Sequence, residues 1–189
     1  MPALAGLAGM LYDQGSYAEA QIIVEKQCDI EPNNFEYLAR LANCYEHLHN
    51  WEKAFEVYQH MKELQPGSAE ICVNIGRVLE ALEIYAPAID SFAEAIQLKP
   101  EYGNAYFNAG DLLYKLGYYE KATETYLKGL QLEPEHDNGF FVLGNSLLQT
   151  GKLEAAAFAY RQEIALHPDH EGALHNLALL QANSDTAAA

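Results

Sequence analysis

The 189-residue chain is predicted to fold as an all-α solenoid of five 34-residue helix–turn–helix repeats plus a C-terminal closing helix. Three observations predict it. Five of the seven prolines, Pro32, Pro66, Pro100, Pro134 and Pro168, stand 34 residues apart. Alanine recurs at the same interval in Ala20, Ala54, Ala88, Ala122 and Ala156. Four residues after each alanine comes Val24, Tyr58, Phe92, Tyr126 or Tyr160. A fixed period of this length marks stacked supersecondary units, each unable to bury its apolar face alone.

Aligned on the prolines, the repeats cover residues 1–34, 35–68, 69–102, 103–136 and 137–170. In the first helix of each repeat stands Leu7, Leu41, Ile75, Ala109 or Leu143, followed by Ala8, Ala42, Gly76, Gly110 or Gly144. These small residues let two helices approach closely. Tyr17, Trp51, Tyr85, Tyr119 and Leu153 open the second helix, and the proline stops it by disfavouring helix in the residue before it. Pro87 falls near the start of its second helix, where a missing N–H is tolerated. Residues 171–183 repeat the first-helix pattern with Leu174, Leu177 and Ala178 and are expected to form a closing helix. Residues 1–183 then read as a single domain, with 184–189 a disordered tail.

Period and columns together resemble the tetratricopeptide repeat (TPR) family over essentially the whole chain. The resemblance implies a right-handed superhelix whose first helices line a concave surface, and that surface usually holds an extended peptide. The implied function is a non-enzymatic protein–protein interaction adaptor with a protein or peptide ligand. The paired lysine and asparagine that open the carboxylate clamp of chaperone adaptors would fall on Ala5 and Gly9, or on Ala39 and Asn43, so that clamp is not matched.

At about 100° per residue, Tyr106, Ala109, Leu113 and Leu116 form one stripe, read as the core side of the fourth repeat's first helix. Asn104, Phe107, Asp111, Tyr114 and Tyr118 run along the opposite stripe, with Asn108 and Lys115 beside it. The resemblance turns this second stripe toward the groove. Asn43, Asn74, Asn108 and Asn145, with Asn176, recur along it. An amide can pair with both N–H and C=O of an extended peptide, and asparagine is a poor choice for a helix interior unless it has such a task. Arg40 and Arg77 are candidates for a ligand carboxylate, with local pairing to Glu46, Glu70 or Glu80 as the alternative. Phe107, Tyr114 and Phe141 are expected to be apolar anchors, and Asp111 and Lys115 complete the peptide-binding set.

A net charge of -16 argues against a nucleic-acid or anionic-membrane surface. No apolar run is long enough for a membrane span. Cys28, Cys44 and Cys72 are too few and scattered for a disulfide framework and read as free thiols of a reducing compartment. The N-terminal "MPALAGLAGMLYDQG" lacks the basic start of a signal peptide, so a cytoplasmic location is expected. No phosphate loop, HExxH or GxSxG occurs, so no catalytic residue, cofactor or metal is expected. The histidines of "HPDHEGALH" cross a helix–turn–helix junction and read as turn residues. The first helix, "PALAGLAGMLY", carries no charge, although an end helix should be polar outside. Either something precedes it in a longer protein, or Leu4, Leu7 and Leu11 pack on a partner or on a second copy in a self-associating scaffold.

Overall fold

Periodic sequence becomes periodic structure through one turn, repeated five times. The second residue after each first helix, at Gly15, His49, Glu83, Gly117 and Gly151, is left-handed, with φ of 77°, 55°, 61°, 81° and 74°. The next N–H reaches back to a carbonyl five residues earlier, as in Asn50 N to Tyr45 O at 2.8 Å and Ile84 N to Leu79 O at 2.8 Å. This arrangement satisfies carbonyls the helix end leaves open and reverses the chain. Glycine takes the left-handed region without penalty, whereas His49 and Glu83 occupy it at a cost of about 1 kcal/mol each.

The computed structural model describes residues 2–188, with side-chain surroundings for 6–182. Those residues form eleven helices and no strand. They are α1 (Pro2–Asp13), α2 (Tyr17–Ile30), α3 (Phe35–His47), α4 (Trp51–Leu64), α5 (Ala69–Ala81) and α6 (Tyr85–Leu98). Then come α7 (Gly103–Lys115), α8 (Tyr119–Leu132), α9 (Gly139–Gln149), α10 (Leu153–Leu166) and α11 (Glu171–Ala188). Each second helix opens on the expected column and ends two residues before its proline. The helices group into two compact units, Met1–Leu98 and Lys99–Ala189. Within each unit every helix packs on the next in chain order. Among the described residues no helix is long and apolar enough to cross a membrane.

The core of both units is a ring set against a helix backbone. The alanines at 20, 54, 88, 122 and 156 are fully buried, and so are Phe92, Tyr126 and Tyr160 one turn later. A Cβ placed on Gly76, Gly110 or Gly144 would come within 2.5 Å of the ring of Phe92, Tyr126 or Tyr160 respectively. These glycines therefore set the distance between the paired helices. Each ring buried in this way contributes about 1.5–3 kcal/mol.

Two element boundaries depart from expectation. The fifth repeat begins at residue 137 by its period, yet α9 starts at Gly139. Asn138 is left-handed, with φ 63°, and Gly139 N closes a turn onto His136 O at 2.9 Å. The run Asp137–Asn138–Gly139 is turn chemistry, so the chain enters this helix late. At the other end α11 runs to Ala188, through most of the tail expected to be disordered. The extension is rich in alanine and contains neither glycine nor proline to stop it.

The three thiols are free, and burial raises each of them, Cys28 to about 11. Little thiolate forms at neutral pH, so these cysteines are packing residues.

Two substitutions of opposite sign test this account by urea unfolding followed at 222 nm. Gly110→Ala gains about 1 kcal/mol in helix propensity but overpacks the Tyr126 ring by about 1–3 kcal/mol, so net destabilisation is expected. Ala42 takes the same column opposite Tyr58, which keeps the loss well below that of a core truncation. Glu83→Gly relieves a left-handed glutamate and should gain about 0.5–1 kcal/mol. A more stable Gly110→Ala would mean that the ring does not set the helix spacing.

Candidate functional site

A buried tyrosine has a hydroxyl that must find a partner. For Tyr58, Tyr126 and Tyr160 that partner lies on the first-helix face where the asparagines lie. Tyr160 OH donates to Asn145 Oδ1 at 2.8 Å, and Tyr126 OH donates to Asp111 Oδ1 at 2.8 Å. Tyr58 OH donates to Glu46 Oε1 at 2.5 Å and lies 3.3 Å from Asn43 Oδ1. Burial, and for Tyr58 the bond to Glu46, push the Tyr58 and Tyr160 phenols above their ordinary value. Asn43, Asp111 and Asn145 occupy one column, fifteen residues before their tyrosines. In the third repeat the ring is Phe92, which has no hydroxyl, and the column holds Arg77.

In the first unit this face is a chain of internal bonds. Arg77 Nη2 pairs with Glu46 Oε2 at 2.9 Å, and its Nη1 lies 3.4 Å from Asn74 Oδ1. Glu46 therefore joins Tyr58 of its own repeat to Arg77 of the next. Arg40 pairs with Glu36 at 3.1 Å, a partner outside the sequence reading. Arg77 thus has one of the partners that the alternative named, and Arg40 has a different one. Arg40 Nη1 is buried and has no hydrogen-bond partner among the described residues.

In the second unit the expected residues divide. Asn145 Oδ1 also accepts from Asn176 Nδ2 at 2.9 Å, and the same Nδ2 lies 3.2 Å from Tyr160 OH. Asn145 thus spends its oxygen internally, and its Nδ2 has no partner among the described residues. Asn108 does the reverse, donating through Nδ2 to Asn104 O and Oδ1, both at 2.8 Å. Tyr114 lies edge-on to Tyr119 with ring centroids 5.2 Å apart, and Lys115 is exposed. Phe141 is half-buried between His170, 4.6 Å away, and Tyr160.

Phe107 departs from its expected role as an anchor. It is 4% exposed, stacked on His136 at 3.7 Å and set against Gly129 and Gly139. The single-stripe reading fails here because the buried residues of α7 include Ala105, Phe107 and Leu112, while the stripe read as core is only half-buried. Phe107, Asp111 and Phe141 do converge, with His136, Asp137, Asn138 and Val142, on one cavity of about 340 Å³. His136, Asp137 and Asn138 were not among the expected residues. Their signal was the turn run before Gly139, which leaves them outside the helix.

Of the self-association candidates, Leu7 is 44% exposed and Leu11 is half-buried, whereas the side chain of Leu4 lies outside those described. Met10, beside them on α1, is also exposed.

Comparison with known proteins supports the repeat reading directly. A model of the tetratricopeptide repeat matches residues 103–136, which is one full period. A model of the anaphase-promoting complex, cyclosome, subunit 3 matches residues 13–95. No curated protein matches in sequence. Among solved structures, MamA is 23% identical over 85% of this chain and 94% of its own, with a TM-score of 0.75. TTC0263, a thermophilic TPR protein of Thermus thermophilus, is 20% identical over 96% of this chain and 98% of its own, with a TM-score of 0.72. YrrB, described as a TPR protein with an unusual peptide-binding site, is 20% identical over 91% and 89%, with a TM-score of 0.69. These likenesses show the helical-solenoid fold, and by the matched models over residues 13–95 and 103–136 and its 34-residue columns the chain belongs to the tetratricopeptide repeat family.

Proposed function

We propose that this protein is a non-enzymatic interaction adaptor that holds an extended peptide segment of a partner protein along the first-helix face of its second unit. The observation that carries the reading is the opposite use of two amides. Asn145 keeps a donor and Asn108 keeps an acceptor, each with its other half tied down by neighbours. An extended backbone offers alternating C=O and N–H groups that such a pair complements. Amides already fixed by internal bonds lose little side-chain entropy on binding. A peptide-binding member with the same fold, YrrB, is consistent with this use. Asn43, Asn74, Arg40 and Arg77 are the candidates on the first unit, where a ligand carboxylate must displace Glu36 or Glu46. Three unpaired thiols fit a reducing, cytoplasmic setting.

A second reading, self-association through α1, is favoured by the exposure of Leu7 and Met10 on a helix whose only charged residue is its last, Asp13.

Each reading has its own experiment. Twelve-residue peptides selected from a random display library should bind wild-type protein, and Asn108→Ala/Asn145→Ala should weaken them by about tenfold or more in calorimetry, at about 0.5–1.5 kcal/mol per hydrogen bond lost. In this variant the Tyr160 hydroxyl still accepts from Asn176 Nδ2 but loses the acceptor of its own proton, so a small loss of stability is expected while circular dichroism verifies that the helices are retained. Undiminished affinity would remove the amide pair from the site. For self-association, sedimentation equilibrium should give a mass that rises with concentration and reverts to the monomer in Leu7→Asp. A monomer across the micromolar to millimolar range would end that reading.

A further inference from the structure

One side of α1 differs from the same side of later first helices. Leu7 and Met10, one turn apart on it, are 44% and 59% exposed. The same two columns hold Leu41 and Cys44 on α3, Ile75 and Val78 on α5, and Leu143 and Ser146 on α9, and all six are buried. Each of these helices packs on its own second helix, as α1 does on α2, so that contact alone does not bury the columns. What α3, α5 and α9 have in addition is the second helix of the preceding repeat, α2, α4 and α8 respectively. The link is direct in α9. There Ser146 Oγ lies 2.8 Å from Thr123 Oγ1 and donates to Tyr119 O at 2.7 Å, both on α8. Leu130, further along α8, lies 2.8 Å from where a Cβ on Gly139 would stand.

These junctions show what kind of element covers such a side. It is a helix presenting one face, which on α8 holds Tyr119, Thr123 and Leu130. On α1 the column of Ser146 is the apolar Met10, and no charged residue occurs before Asp13. The face set against it must therefore be uncharged, because a buried charge without a partner is strongly unfavourable. A second copy of this chain brings another net charge of -16 and is opposed by repulsion over the rest of its surface.

We propose that Leu7 and Met10 seat an amphipathic helix of a partner protein, patterned like the second helices of this chain, with uncharged residues at i, i+4 and i+11. The surface is the one considered for self-association, given a different occupant. Neither Asn108 nor Asn145 takes part in the contact.

The probe is a display library of alanine-rich peptides of about 18 residues, long enough to be helical alone, randomised at i, i+4, i+7 and i+11. Helices apolar at those positions should be enriched on wild-type protein and should protect the amides of α1 from hydrogen exchange. They should bind Met10→Asp about tenfold more weakly or worse, because the aspartate would be buried without a partner. Met10 is exposed, so the variant keeps its fold, as circular dichroism would verify. Asn108→Ala/Asn145→Ala should bind the same helices as wild type does. Enriched helices that bind Met10→Asp undiminished, or that protect another element instead, overturn the proposal, and so does a library that enriches none. A mass of the protein alone that rises with concentration and falls to the monomer in Met10→Asp assigns the surface to a second copy and overturns it as well. The peptide-binding reading stands in each of these cases.

Discussion

One contact organises the third, fourth and fifth repeats. The aromatic residue of the second helix lies flat against a first-helix position where a side chain has no room, as with Phe92 on Gly76 and Tyr160 on Gly144. That contact sets the helix spacing and buries the largest side chains of the core. It also has a polar consequence. When the ring is tyrosine, its hydroxyl emerges among the residues that line the first-helix face and must be satisfied there. The identity of the residues at 43, 111 and 145 is thus partly dictated from inside the protein. Where the ring is Phe92 the requirement lapses, and Arg77 takes the position and turns to Glu46.

This linkage changes how the face is understood. A row of asparagines looks like a recognition surface, yet its members also serve as structural partners. Asn145 spends its oxygen on Tyr160 and Asn176, and Asn108 spends its nitrogen on Asn104. What such residues can offer a ligand is the half that the fold leaves over. The arginines illustrate the limit, because each already carries a glutamate. Separating a partly exposed pair of this kind costs little, about 1 kcal/mol or less.

The fold was legible because its signal is redundant. Prolines, alanines and aromatic residues recur in register, and every second helix starts and stops where those columns place it. The face was less legible for two physical reasons. Assigning one core stripe to each first helix misplaced Phe107, since helix neighbours and the loop before α9 bury more of α7 than one stripe. Long flexible arginines have several glutamates in reach, and spacing alone does not choose Glu36 for Arg40. The tyrosine partners, by contrast, were open to reading. A polar residue fifteen positions before each tyrosine, replaced by arginine where the ring is Phe92, is a pattern within the sequence itself.

Glu46 has a further meaning for how such a chain can evolve. Its carboxylate serves Tyr58 in the second repeat and Arg77 in the third, and Asn145 likewise joins the fifth repeat to the closing helix. Repeats that match in length and packing are, in these places, wired to a particular neighbour. Duplicating or exchanging a unit would preserve the backbone yet strand a charge or an amide at the new junction. The order of the repeats is therefore part of the inherited information, and the array behaves as a sentence rather than as a string of interchangeable beads.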